Sequence, residues 1–261
     1  DARTPRPVAT ARYELYWAWS LQYNPEQWIM LIDSRDTIFQ TNPFANLDRF
    51  TTVGADPSNN SHTFKSQLHL FAENYEVTNL GESSYNREWL LKAYGKENVD
   101  SFMNQPIICS GSTMGHTSAI ESYLRAMVAQ FDTTQCIMKG CDQGFHNYLY
   151  YSNTLQHLSN IDEVIVYEQG KGVINNLAAL RTKSLREWGI LVDVLDADDL
   201  DSGMELKHLR IMNWDNMTVS PVVHQFDRDE ELSRFVKKQK EFYNMEWTAY
   251  NKINLASLSS T

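Results

Sequence analysis

Asp33 and Asp36 stand directly behind the apolar run Trp28-Ile29-Met30-Leu31-Ile32. An apolar run that ends abruptly in acid predicts a buried strand over 27–33, carrying carboxylates to its C-terminal edge. Ligands of open α/β sheets bind at such edges. Carboxylates there lose part of their hydration, and Mg²⁺ or Mn²⁺ relieves that cost because it prefers carboxylate and phosphate oxygens. The same residues admit a structural account, in which Asp33 caps the next turn and Asp36 pairs with Arg35. Asp142 opens a helix predicted near residues 142–149, with Gln143 and Asn147 beside it. The dipole and free N–H groups of that helix end would hold the carboxylate ionised, ready to accept hydrogen bonds or act as a base. Simple capping is the alternative. His146 reads as a packed histidine or as an acceptor-site residue. His224 follows Val222-Val223 and reads as a core histidine or a metal ligand. Gly170-Lys171-Gly172 reads as a turn, or as backbone open to a diphosphate.

The elements that must position these groups are legible from periodicity. Residues 11–23 read as a helix apolar on nearly every face, closed by Asn24-Pro25, after an N-terminal arm of residues 1–10. Gln67 to Glu73 alternates as a strand, and residues 85–94 form a short helix ended by Gly95. Pro106 to Cys109 is a short strand running into a loop at Ser110-Gly111-Ser112. Ile120, Tyr123, Leu124, Met127, Val128 and Phe131 make a helical stripe, with Ser118 and Glu121 spaced as a capping box. Strands are expected at 162–167, 209–213 and 219–225, with a turn at 214–216. A closing helix carries Leu232, Phe235, Val236, Phe242 and Tyr243. Polar stretches at 54–62 and 192–202 read as exposed segments, the second acidic. The pattern implies one α/β domain over residues 1–261, with a mostly parallel central sheet flanked by helices and a tail from 244 to 261.

The 261 residues carry a formal charge of −10. That balance excludes nucleic acid as a general partner, since phosphate backbones demand a basic face. Seven Trp, thirteen Tyr and eleven Phe suit a dense core and a carbohydrate-facing cleft. No apolar run spans a bilayer. Cys109, Cys136 and Cys141 read as buried free thiols, with a Cys136–Cys141 bridge as the alternative in an oxidising compartment. Asn59-Asn60-Ser61 and Asn216-Met217-Thr218 fit the glycosylation sequon and lean toward the secretory route.

Leu31-Ile32-Asp33-Ser34-Arg35-Asp36-Thr37-Ile38-Phe39-Gln40-Thr41-Asn42-Pro43-Phe44 resembles the metal-binding segment of nucleotide-sugar transferases with the GT-A fold, in the Asp-x-Arg-Asp form. Ser110 to Gly115 resembles their strand-end loop, Asp142 to Asn147 their Asp-Gln helix start, and Ser220 to Asp227 their C-terminal strand with its histidine. Counted back from Pro43, Asp36 falls on the second acid of the usual Asp-x-Asp and Ser34 on the first, so Asp33 would stand in from the neighbouring position. About ten residues precede the first helix, so the strand that normally binds the nucleotide base in this fold would be missing or lie in an upstream segment.

The resemblance implies a single GT-A-like domain that transfers a sugar from a nucleotide diphosphate to a glycan or protein hydroxyl. It implies Mn²⁺ or Mg²⁺ held by Asp33, Asp36 and His224, with Asp142, Gln143 and His146 catalytic. Donor binding would fall to Arg35, Ser110, Gly111, Ser112 and Asn147. The implied setting is the Golgi lumen or the cell exterior, with anchoring through an upstream segment or membership of a larger assembly. The alternative is a glycosyltransferase-like subunit that binds or supports without catalysing. A haloacid-type phosphohydrolase would want an acid where Arg35 stands.

Overall fold

A computed structural model describes residues 6–45, 47, 64–194, 208–215, 217–241 and 244. The loop at 54–62, the sequon at 59–61, Asn216, most of the acidic run, Phe242, Tyr243 and nearly all of the tail lie outside them.

The chain is α/β. Its main sheet contains β1 (Trp28–Ile32), β3 (Gln67–Ala72), β4 (Ile108–His116) and β5 (Glu163–Tyr167), in the order β1-β4-β3-β5. A second sheet holds β2 (Thr37–Phe39), β6 (Ile174–Asn176) and β9 (Val222–His224), in the order β2-β9-β6, while β7 (Leu191–Val194) and β8 (His208–Ile211) form a hairpin pair. The expected mostly parallel sheet is not what forms. In the main sheet only β3 and β5 run parallel, whereas β4 is antiparallel to both β1 and β3.

Period-two alternation divides the main sheet's faces. Ile29, Leu31, Leu68, Leu70 and Ile108 point toward the helices α1 (Val8–Ser20), α4 (Thr117–Thr134) and α5 (Cys141–Tyr151). Trp28, Met30, Ile32, Phe71 and Met114 point toward Val173, Ile174 and Val222 at the second sheet. A further core of Leu177, Leu180, Ile190, Leu191, Ile211, Val223, Leu232 and Val236 lies under the hairpin and the closing helix over 230–241. The stripe predicted on α4 is buried in full.

Three expectations need correction. α1 is amphipathic in practice, not buried on several sides: Tyr13 is 3 % exposed, but Leu15 and Trp19 are more than half exposed. Ser118 caps nothing, because α4 begins one residue earlier. Its Oγ meets Ser66 Oγ at 2.6 Å, and Glu121 accepts a hydrogen bond from Trp17 Nε1 at 3.0 Å, so the pair ties α4 to its neighbours. Cys136 and Cys141 form a disulfide, and only Cys109 is a free, buried thiol.

The core also fixes an acid limit. His69 and His146 are fully buried, and burial lowers their pKa from 6.5 to about 4 and about 3. The unfolded chain therefore takes up protons below pH 6.5 that the folded chain refuses. Stability present above that pH falls as pH drops toward 4, by about 1.4 kcal/mol per pH unit for each histidine. Glu73, considered below, opposes this between pH 7 and 4.5 but is a single group. Urea midpoints should fall between pH 6.5 and 4.5, and a His146→Gln variant should flatten the slope.

Candidate functional site

The site is built around a bulge. β4 pairs Ile108 with Ala72 and Thr113 with Leu70, so between these pairs one residue of β3, Phe71, faces four of β4, residues 109–112. The expected loop at Ser110-Gly111-Ser112 is thus strand, paired to β1 on one side and bulged away from β3 on the other. Bulges leave backbone groups unpaired and re-aim side chains. α5 supplies the missing partners. Gln143 accepts from Ser110 N at 2.7 Å and donates to Ile108 O at 2.7 Å, and Asn147 brackets Ile108 N and O at 2.9 Å. Both side-chain amides are spent on holding the strand.

The bulge opens onto a cleft of about 910 Å³ at the C-terminal ends of β1 and β3. Asp33, Ser110, Gly111, Asp142, Gln143 and His224 line it together. Arg12 holds two of the acids, pairing with Asp33 and reaching Asp142 at 3.1 Å. Burial raises the Asp142 pKa, and Arg12 opposes that rise without cancelling it.

The remaining predicted residues lie elsewhere. His146 is a core histidine, its Nδ1 2.7 Å from Tyr123 OH. Asn147 and Ser112 are buried, Ser112 Oγ donating to Asn176 Oδ1 at 3.1 Å. Arg35 is exposed and pairs with Asp36 at 2.8 Å, outside the cleft. Asp36 is buried and faces His224 Nε2 at 3.7 Å.

That last contact fixes the chemistry of His224. Asn176 Nδ2 donates to Phe71 O at 2.9 Å, which fixes the amide so that its Oδ1 faces His224 Nδ1 at 2.8 Å. Nδ1 must therefore carry the proton. Burial lowers the His224 pKa against the pull of Asp36, so the ring is neutral and Nε2 presents a lone pair. Nε2 is buried without a hydrogen-bond partner. A lone pair and a carboxylate face to face repel unless something positive lies between them. Two ligand bonds of about 2.1 Å span up to about 4.2 Å, so a 3.7 Å separation accommodates one ion off the connecting line. Asp33 is not part of this pair, being engaged by Arg12. Among the described residues no three His, Cys, Asp or Glu side chains are close enough to hold an ion by themselves.

Gly111 is the hinge of this arrangement. A Cβ there would sit 2.8 Å from both Asp33 Oδ2 and His224 Cε1. Gly111→Ala must therefore push the two side chains apart, costing about 1–3 kcal/mol. A lower melting temperature together with weakened ligand binding is the expected outcome.

Sequence reasoning missed Glu73, Arg12, Arg181 and Arg228, all of which line the cleft. Glu73 is the acid tip of β3, just as Asp33 is of β1, so the signal was present. Burial raises its pKa from 4.5 to about 7 despite Arg181 and Arg228. Among the described residues nothing hydrogen-bonds its carboxylate. Comparison with protein-family models, curated proteins and solved structures finds no match.

Proposed function

We propose that the chain is a GT-A-like glycosyltransferase that moves a sugar from a nucleotide diphosphate donor to a glycan or protein hydroxyl. The observation that carries this reading is the juxtaposition in one cleft of three carboxylates (Asp33, Glu73 and Asp142), three arginines (Arg12, Arg181 and Arg228) and His224. Cations suit a diphosphate, and carboxylates suit sugar hydroxyls and a proton in transit.

The residues fit a divalent cation, Mn²⁺ or Mg²⁺, held by Asp36 and His224, with substrate phosphate and water completing the shell. When bound, it would neutralise charge on the diphosphate leaving group. Arg181 and Arg228 add positive charge at the cleft that His224 lines. Asp142, fixed by Arg12, orients the sugar through its hydroxyls. Glu73 takes the proton of the acceptor hydroxyl, a task its raised pKa suits near neutral pH. Gln143 and Asn147 act as positioning residues through the strand they hold. The Cys136–Cys141 disulfide supports an oxidising, lumenal or extracellular setting.

Calorimetric titration with UDP- and GDP-sugars, with and without Mn²⁺, tests the reading. Mn²⁺-dependent binding that Asp36→Ala loses is the expected result. Absence of binding by any donor to a folded sample would overturn it in favour of a non-catalytic glycosyltransferase-like subunit.

A further inference from the structure

α2 (Ser84–Tyr94) carries Tyr85 and Trp89 one turn apart on the side that lines the cleft. Their ring centroids are 5.9 Å apart with planes tilted by 31°. Trp89 is locked in place. Its indole lies against Gly140, the residue ahead of α5, where a Cβ would come within 2.3–2.7 Å of three ring carbons. Gly140 also has φ +99°, a conformation few side chains tolerate. One turn further along α5, Gly144 meets the Trp89 backbone at 3.3 Å. Tyr85 is the opposite case, 69 % exposed with its ring open to the cleft mouth.

One glycine seats the Trp89 ring and a second its backbone, and the next ring is left uncovered beside it. Contact with Gly140 accounts for Trp89's partial burial, whereas Tyr85 stays exposed. Trp89 meets Gly140 and Gly144, which bracket Asp142 in the chain, so the pair adjoins the turn that carries Asp142. A pyranose presents a C–H face that suits the electron-rich face of an aromatic ring, and hydroxyls around its edge that need polar partners. Glu82, Asn86, Glu88 and Lys139 line the cleft around these rings. A nucleobase stacks on such rings as well. Here, however, two glutamates face a single lysine, a local balance that disfavours phosphates beside these rings and suits a neutral ligand.

We infer that the Tyr85–Trp89 wall is a binding subsite for a neutral saccharide, on which a sugar ring of the acceptor glycan lies flat. Calling that sugar the acceptor rests on the transferase reading; the binding itself does not. The class of acceptor this selects is a glycan, not a bare protein hydroxyl.

The test is titration of the full chain with neutral oligosaccharides (gluco-, xylo-, manno-, galacto- and N-acetylglucosamine hexamers), followed by tryptophan fluorescence and calorimetry. UMP and GMP serve as stacking controls, and UDP- and GDP-sugars with Mn²⁺ run in parallel. At least one hexamer should saturate the chain and perturb tryptophan emission. Tyr85→Ala, an exposed change that leaves the core intact, should weaken that binding about tenfold while donor affinity stays within twofold. Tyr85→Phe should retain it. Donor binding without any hexamer binding would overturn the subsite and leave the transferase reading standing. Hexamer binding without donor binding would do the reverse. Equal hexamer affinity in Tyr85→Ala, or displacement of the hexamer by UMP or GMP alone, would also overturn the subsite.

Discussion

Alanine at position 224 is expected to abolish Mn²⁺-dependent binding of a nucleoside diphosphate sugar, a loss of at least about 100-fold. Alanine at 176 should cost about 10–100-fold, the range for groups that orient a metal-binding histidine. The order of the two effects is the informative part. His224 supplies the lone pair itself, whereas Asn176 only dictates which nitrogen bears the proton. Without Asn176 the ring can protonate at Nε2 and donate toward Asp36, which satisfies both groups and removes their demand for a cation. Ser112 also donates to Asn176 Oδ1, so Ser112→Ala should fall between wild type and Asn176→Ala. Calorimetry with UDP-sugar at fixed Mn²⁺ reads all three, with circular dichroism to confirm folding. Equal losses in His224→Ala and Asn176→Ala would mean that the asparagine supports the strand and does not set the tautomer.

How far the sequence reached differs by element for physical reasons. Strands and helices that own a periodic apolar face, such as β1, β3 and α4, were legible because their burial repeats every two or every three to four residues. The direction of strand pairing was not, since an apolar run reads the same whether its neighbour runs up or down. The bulge at 109–112 was invisible because it arises from a mismatch between two strands distant in sequence. Within the site, Asp33, Asp142, Gln143 and His224 were found as polar residues at the ends of predicted elements. Arg12 was hidden in a helix whose aromatic neighbours dominated its reading, though its guanidinium reaches two acids 21 and 130 residues away. His146 and Asn147 shared the signature of the site, polar and one turn from Asp142, yet both face inward. A helix presents successive residues about 100° apart, so neighbours in sequence need not share a surface.

Glu73→Gln is expected to lower sugar transfer by about 10²–10⁴-fold and to remove the acid limb of the pH profile. Only the charged carboxylate can accept a proton, so wild-type activity should rise as pH climbs through about 7, the value to which burial pushes Glu73 against Arg181 and Arg228. Cys109 is also coupled to it, and burial holds that thiol neutral throughout this range. Glutamine keeps the shape and cannot take the proton, so residual activity should be nearly flat from pH 6 to 8. Glu73→Asp should keep the limb at a reduced rate. The same substitution has the opposite effect on folding, which separates a working role from a structural one. A folded-state pKa raised above the unfolded value contributes stability fully present below pH 4.5 and lost as pH rises through about 7. Glutamine escapes that loss. Relative to wild type, Glu73→Gln should gain stability across this interval, by at most about 3 kcal/mol and by less because the carboxylate opens onto solvent in the cleft. A variant that is more stable at pH 8 yet nearly inactive would show that the chain tolerates an ill-solvated acid at the tip of β3 for the proton it can carry. A variant that loses stability together with activity would make Glu73 a packing residue and return the search for the base to Asp142.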